Sequence, residues 1–152
     1  MAADNAQFRR NFAAIMERAG EKKDKLAVML AMEVLRRLID GSPVGNASLW
    51  KNPASAPEGY VGGRFKANWQ VEYGGPDLSN SLPPDSFGSG SMGRGKTKVQ
   101  QWNVTGKLFI TNSMPYCKRI EYDSWSQQAP AGVVRITVKN FKQLVKKLAD
   151  RL

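Results

Sequence analysis

The first forty residues leave the chain little choice of local structure. Phe8, Phe12, Ile15, Met16 and Ala19 recur every three or four positions, and Leu26, Leu30, Val34 and Leu38 continue at four-residue spacing. One face of an α-helix repeats at that interval, whereas a strand needs a period of two, so the pattern predicts a long N-terminal helix. Gly20 costs about 1 kcal/mol relative to Ala in a helix interior, and a kink or break is expected between Ala19 and Lys22. Asp40-Gly41-Ser42-Pro43 should end the helix, because Gly41 can adopt the left-handed cap and Pro43 cannot continue. Val28, Met29, Met32, Leu35 and Ile39 widen the apolar stripe beyond one sheet face. Such width suits either a broad intramolecular core or contact with a neighbouring subunit.

The remaining elements are shorter. Val44 to Gly63 is rich in Gly, Pro and small polar residues and reads as an ordered surface loop, about 45–62, anchored by Trp50 and Tyr60. Phe65, Ala67, Trp69, Val71 and Tyr73 alternate with Lys66, Asn68, Gln70 and Glu72, the period of a half-buried strand. Gly74 to Thr97 holds six glycines and three prolines, and a flexible loop over about 74–98 is expected. Val99 to Asn112 reads as a second strand region, clearest at Lys107-Leu108-Phe109-Ile110-Thr111, with Trp102 as well as Trp69 in strands. Tyr116 to Tyr122 fits a helical turn or a strand. Val133-Val134-Arg135-Ile136-Thr137 is β-branched and suits a strand, after which Thr137 would cap a last helix with Phe141, Leu144, Val145 and Leu148 on one face. Together these predict one α+β domain, 1–152, in which a long N-terminal helix packs on a small antiparallel sheet and a C-terminal amphipathic helix follows.

Composition narrows the chemistry. The chain contains no His and a single Cys, Cys117, so within one chain neither a Cys/His zinc site nor a Ser-His-Asp or Cys-His arrangement can be built. The 13 acidic residues show no paired spacing ahead of an apolar run, which gives little support to a carboxylate site. No enzymatic activity, cofactor or metal is expected. Cys117 reads as a small buried hydrophobe rather than a reactive thiol, and an unpaired Cys fits a reducing compartment. No apolar stretch reaches the ~20 residues that span a bilayer, and the N-terminal residues lack the pattern of a signal peptide. Cytoplasmic synthesis without a membrane partner is expected.

Net charge is +10. Met1 to Asp40 is nearly balanced, with eight basic and six acidic residues, whereas Ala131 to Leu152 carries six basic residues against Asp150 alone. A smaller cluster lies at Arg94, Lys96 and Lys98. The lysines of the last helix, Lys139, Lys142, Lys146 and Lys147, form either a solvated face or a surface for DNA backbone or an acidic partner. No base-reading motif accompanies them. Gly95-Lys96-Thr97 superficially matches a phosphate-binding loop, but Pro83-Pro84-Asp85-Ser86-Phe87 stands where a buried strand should precede it. Trp125, in the polar stretch Asp123-Ser124-Trp125-Ser126, fits an intersubunit anchor.

Three segments, taken in order, carry a resemblance: Ser42-Pro43-Val44 with Gly63-Arg64-Phe65-Lys66-Ala67-Asn68-Trp69, then Asn112-Ser113-Met114-Pro115-Tyr116 running to Ile120-Glu121-Tyr122, then Gln127-Gln128-Ala129-Pro130-Ala131-Gly132 running to Arg135. They resemble the tail-completion, or minor tail, family of long-tailed bacteriophages, of the lambda minor tail protein Z type, over most of Ala14 to Arg135. The chain departs from the family pattern by an insert between Val44 and Gly63 and by Asp123 where a Gly often follows the Glu-Tyr pair. The resemblance implies a ring-forming virion subunit of the neck, expected to be a hexamer, made in the host cytoplasm. Such a ring joins the tail to a DNA-filled head. It would contact other copies of itself, a head-tail connector or stopper protein on one side, and a tail terminator or tail tube protein on the other. Genomic DNA would pass through its bore without sequence specificity. Under this resemblance Arg64, Lys66, Asn68, Tyr116, Glu121, Tyr122 and Trp125 are expected at subunit or partner contacts, and Arg94, Lys96 and Lys98 at the DNA channel or a neighbouring ring. The alternatives are a tail terminator or head-closure stopper, or a free-standing non-specific DNA-binding protein.

Overall fold

The computed structural model describes the backbone of residues 2–152 and the side chains of residue 7 and residues 9–152, so the place of Phe8 in the apolar stripe lies outside the described residues. Helix α1 spans Ala2–Asp40 and is followed by 3-10 turns at Ala47–Leu49 and Pro53–Ser55. Then come α2 (Arg64–Ala67), β1 (Gln70–Tyr73), α3 (Ser89–Gln101), β2 (Leu108–Thr111), α4 (Cys117–Tyr122), α5 (Val134–Lys139) and α6 (Phe141–Ala149). β1 and β2 pair antiparallel, with Gln70 opposite Thr111 and Tyr73 opposite Leu108. The architecture is α+β, with the long N-terminal helix, the small antiparallel sheet and the C-terminal helix that the patterning predicts.

Helix α1 runs unbroken through Gly20. Nothing approaches within 4 Å of that position, and a cost near 1 kcal/mol is too small to interrupt so many helical hydrogen bonds. The helix ends at Asp40 without a left-handed glycine, since Gly41 is not among the positive-φ residues. The Gly41 N–H donates to Arg37 O at 2.9 Å, and Ser42 Oγ donates to Leu38 O at 2.6 Å. The serine hydroxyl therefore caps the helix where the glycine was expected to do so.

Several expectations fail where contacts across the fold override the local pattern. Residues Ser89–Gln101, expected as loop to about 98 and as strand from Val99, form α3. Ser91, Gly95 and Val99 are buried at four-residue spacing, so the poor helix formers are there to let the helix approach its neighbours. A Cβ on Gly95 would fall 2.3 Å from Leu35 of α1 and 3.1 Å from Val71 of β1. Asp85 supports the start of α3 by accepting N–H bonds from Gly88 at 2.9 Å and Gly90 at 2.8 Å. The strand expected from Phe65 begins only at Gln70, because Phe65 lies in α2, where the Ala67 N–H closes a turn on Gly63 O at 2.9 Å. Val133–Thr137, expected as strand, enters α5 instead, and Thr137 sits inside that helix with its hydroxyl on Val133 O at 2.9 Å. Asn140, not Thr137, precedes α6. Trp102 likewise follows α3 and lies in no strand.

The core gathers Leu35, Leu38 and Ile39 of α1, Phe65, Trp69, Val71, Val99, Met114, Ile120, Ala129 and Val133, with Cys117 partly buried against it. Leu144 and Leu148 are buried on α6, which packs on α1. Residues 45–62 form a loop whose ends meet: a Cβ on Gly62 would lie 2.0 Å from Gly45 O. Trp50 and Tyr60 close its interior edge to face, with ring centroids 4.9 Å apart. The insert thus leaves and returns at one point and does not displace the segments on either side of it.

Candidate assembly surface

The segments that carry the resemblance converge on one another, and most of their polar residues work inside the subunit. Ser42 Oγ accepts from Trp69 Nε1 at 2.7 Å while donating to Leu38 O, which locks the end of α1 to the buried Trp69. Gly63 holds φ at +107°, and a Cβ there would meet Ser86 N at 2.6 Å. Asn68 is fully buried. Its amide donates to Arg64 O at 2.7 Å and Leu82 O at 3.2 Å, and its carbonyl accepts the Leu82 N–H at 3.0 Å. Asn112 donates to Phe65 O at 2.8 Å, tying the second segment to the first. Gln128 of the third pairs with both backbone groups of Val44, at 3.0 and 2.8 Å.

Glu121 has a similar internal duty. Its carboxylate accepts the N–H groups of Val133 at 2.9 Å, Val134 at 3.0 Å and Arg135 at 2.8 Å, which are the donors left open at the start of α5. Arg135 also donates to the Glu121 carbonyl. Burial alone would push the Glu121 carboxyl up, but these backbone donors and the Arg135 guanidinium together hold it below the ordinary carboxylate value. A depressed folded-state pKa stabilises the fold above the unfolded value, near 4.5, and that contribution is lost as pH falls through the lower folded value. Glu121→Gln is therefore expected to cost about 2 kcal/mol at neutral pH. The gap to the wild type should shrink below pH 4.5. Urea denaturation of both proteins at pH 7 and pH 3 checks this, and a gap that does not narrow would remove the carboxylate from the account.

What remains exposed is aromatic and cationic. Tyr122 and Trp125 are 64% and 56% exposed. Arg135 lies over the Tyr122 ring at 5.1 Å and Arg119 over the Trp125 ring at 5.9 Å. Trp125 also meets Tyr116, centroids 5.7 Å apart, and Tyr116 meets the core ring Phe65 at 6.2 Å. An aromatic chain thus runs from the core to the surface and holds Trp125 in place. Desolvation is the main reason the Tyr116 hydroxyl is pushed above its ordinary value. Arg64 is exposed and Lys66 half-buried on α2. Of the expected contact residues, then, Asn68 and Glu121 act within the subunit, and Arg64, Tyr122 and Trp125 stand at the surface.

The three cations of α3 are differently placed. Arg94 donates to Ala67 O at 2.6 Å, and Lys98 bonds Glu72 at 2.6 Å beneath the Tyr73 ring. The hydrogen bond between Glu72 and Lys98 chiefly lowers the carboxyl pKa and raises that of the ammonium. Lys96 is exposed. Gly95-Lys96-Thr97 lies in mid-helix, where its amides serve the helix and cannot converge on a phosphate.

Residue periodicity revealed the outer half of α1 as helix but not that it would be exposed. The residues from 26 to 34 are partly buried against the body, but every described side chain from Gln7 to Lys25 is exposed, including Phe12, Ile15 and Met16 at 55–63%. No family model matches the chain, and no characterised protein or solved structure matches it. Among the described residues no helix is long and apolar enough to cross a membrane.

Proposed function

We propose that this protein is a ring-forming structural subunit of a long-tailed phage neck, completing the tail so that it joins a DNA-filled head. The observation that carries this reading is the outer half of α1. The segment from Gln7 to Lys25, about 28 Å of helix, carries Phe12, Ile15 and Met16 at helical spacing, and all of its described side chains are exposed. Helices of this length are marginal alone in water and gain their stability by burying an apolar face. A second copy supplies such a face, and a head-to-tail contact repeated around an axis closes into a ring. The convergence of the three signature segments supports the same reading, as does the exposed Tyr122–Trp125 patch, whose cation-flanked aromatics have the composition of an interface anchor. The neighbours would be a connector or stopper protein and a terminator or tail tube protein, and the site of action would be the virion.

Phe12→Ser/Ile15→Ser/Met16→Ser tests the reading. The variant subunit should keep its melting temperature, because these residues are more than half exposed, while particles should accumulate as separate filled heads and tails. Infectious yield is expected to fall by at least a hundredfold. Normal yield would sink the assembly role of α1. Overlong tails in place of unjoined ones would indicate a terminator.

A further inference from the structure

We propose that the cationic face formed by Lys139 at the end of α5, Lys142, Lys146 and Lys147 of α6, and Arg151 just beyond it, is a docking surface for the phosphate backbone of double-stranded DNA. The proposal rests on the neck reading and deepens it by naming the surface that meets the genome. Its first support is the contrast with α3. Arg94 and Lys98 are held by Ala67 O and Glu72. Among the described residues none of the five C-terminal cations forms an ion pair or a side-chain hydrogen bond, and the segment from Ala131 onward offers only Asp150 as a counter-charge.

Placement is the second support. Lys142 and Lys146 are four residues apart within α6, so they lie side by side on its surface. Like charges at that spacing weaken a helix. Asp150, four residues on from Lys146, is the one carboxylate of the segment and forms no ion pair with these cations among the described residues, whereas a row of phosphates would offset the repulsion. α6 is also held firmly: Leu144 and Leu148 are 3% and 5% exposed. On α6 itself only Phe141 leaves a substantial apolar surface open, at 38% exposed, and the other exposed apolar residues nearby, Ile136 and Val138, belong to α5. Beside the lysines an open cleft of about 400 Å³ is lined by Arg37, Asn140, Gln143, Leu144 and Lys147, which places the Gln143 amide next to the cations, while the Asn140 amide donates to Ile136 O at 3.3 Å. Lysines are point charges and read no base edges, so the binding is independent of sequence and sensitive to salt.

The test uses the full-length chain and a labelled duplex of arbitrary sequence, with affinity followed by fluorescence anisotropy across a salt series. Lys142→Glu/Lys146→Glu/Lys147→Glu should abolish binding at low salt. The milder Lys142→Gln/Lys146→Gln/Lys147→Gln, which guards against misfolding, should flatten the slope of log K against log salt by roughly 2.7, at about 0.9 for each phosphate that is no longer neutralised. Reversing the charges of Lys51 and Lys107, which are exposed on other segments, should leave that slope within a few tenths. Unchanged binding by the Gln variant overturns the proposal. So does a wild-type chain that ignores the duplex or releases it to polyglutamate at equal charge concentration. Failure of the neck reading looks different: the chain would be missing from purified necks even though the duplex assay gave the expected result.

Discussion

Gly63→Ala is expected to destabilise the isolated protein by about 4 kcal/mol, combining strain at a positive φ with a steric clash. Gly63 sits at φ +107°, where L side chains are strained, and a new Cβ would lie 2.6–2.8 Å from Ser86 N, Asp85 C and Ser86 Cα. All three are backbone atoms, so the clash cannot be relieved by turning a side chain. They also belong to the turn that delivers Asp85 to the start of α3, and the Asp85 N–H itself donates to Gly63 O at 3.2 Å. Moving the turn aside would loosen α3 and its packing on Leu35 and Val71. For a domain of this size the melting temperature should fall by roughly 10 °C. Thermal unfolding followed by circular dichroism measures it, and a melt within two degrees of wild type would show that the close approach is dispensable.

Asn68→Ala is expected to cost about 3 kcal/mol, the penalty for leaving buried backbone groups unsatisfied. Three bonds vanish at once, to Arg64 O, Leu82 O and the Leu82 N–H, at a site with no solvent exposure. Asn68→Asp tests the same geometry with little change in volume. One carboxylate oxygen can still accept from the Leu82 N–H, but the other would face two carbonyl oxygens, so this variant should be at least as unstable as the alanine. Urea denaturation of the unassembled subunit separates this role from an interface role. A subunit interface predicts normal stability with failed assembly, and the buried site predicts reduced stability before any assembly is attempted.

The two residues show how the candidate surface was only partly legible. Arg64, Lys66, Asn68, Tyr116, Glu121, Tyr122 and Trp125 look alike as polar or aromatic residues near turns. Whether such a residue faces inward depends on backbone groups distant in the chain: Leu82 for Asn68, and Val133 to Arg135 for Glu121. Trp125 stands out because its exposure agrees with the polar stretch around it. The cations of α3 could not be told from those of α6 by composition, because Glu72 lies 26 residues from Lys98.

Local repetition was sufficient for α1 and α6 and located part of each strand, though alternation from Phe65 ran back into α2. Apolar residues at helical or alternating spacing create a face that must be buried wherever the rest of the chain lies, and Asp40-Gly41-Ser42-Pro43 stops the first helix with groups close at hand. The absence of histidine likewise set the limits on chemistry before any folding. Helices α3 and α5 were decided by tertiary structure alone. Gly90, Gly93 and Gly95 disfavour a helix, and the run Val133–Thr137 favours a strand, so neither segment carries its own reason for the conformation it takes. α3 forms because glycine lets it fit between Leu35 and Val71, and α5 forms because the Glu121 carboxylate binds its opening amides. In both cases interactions made across the fold outweigh a local preference worth up to about 1 kcal/mol per residue.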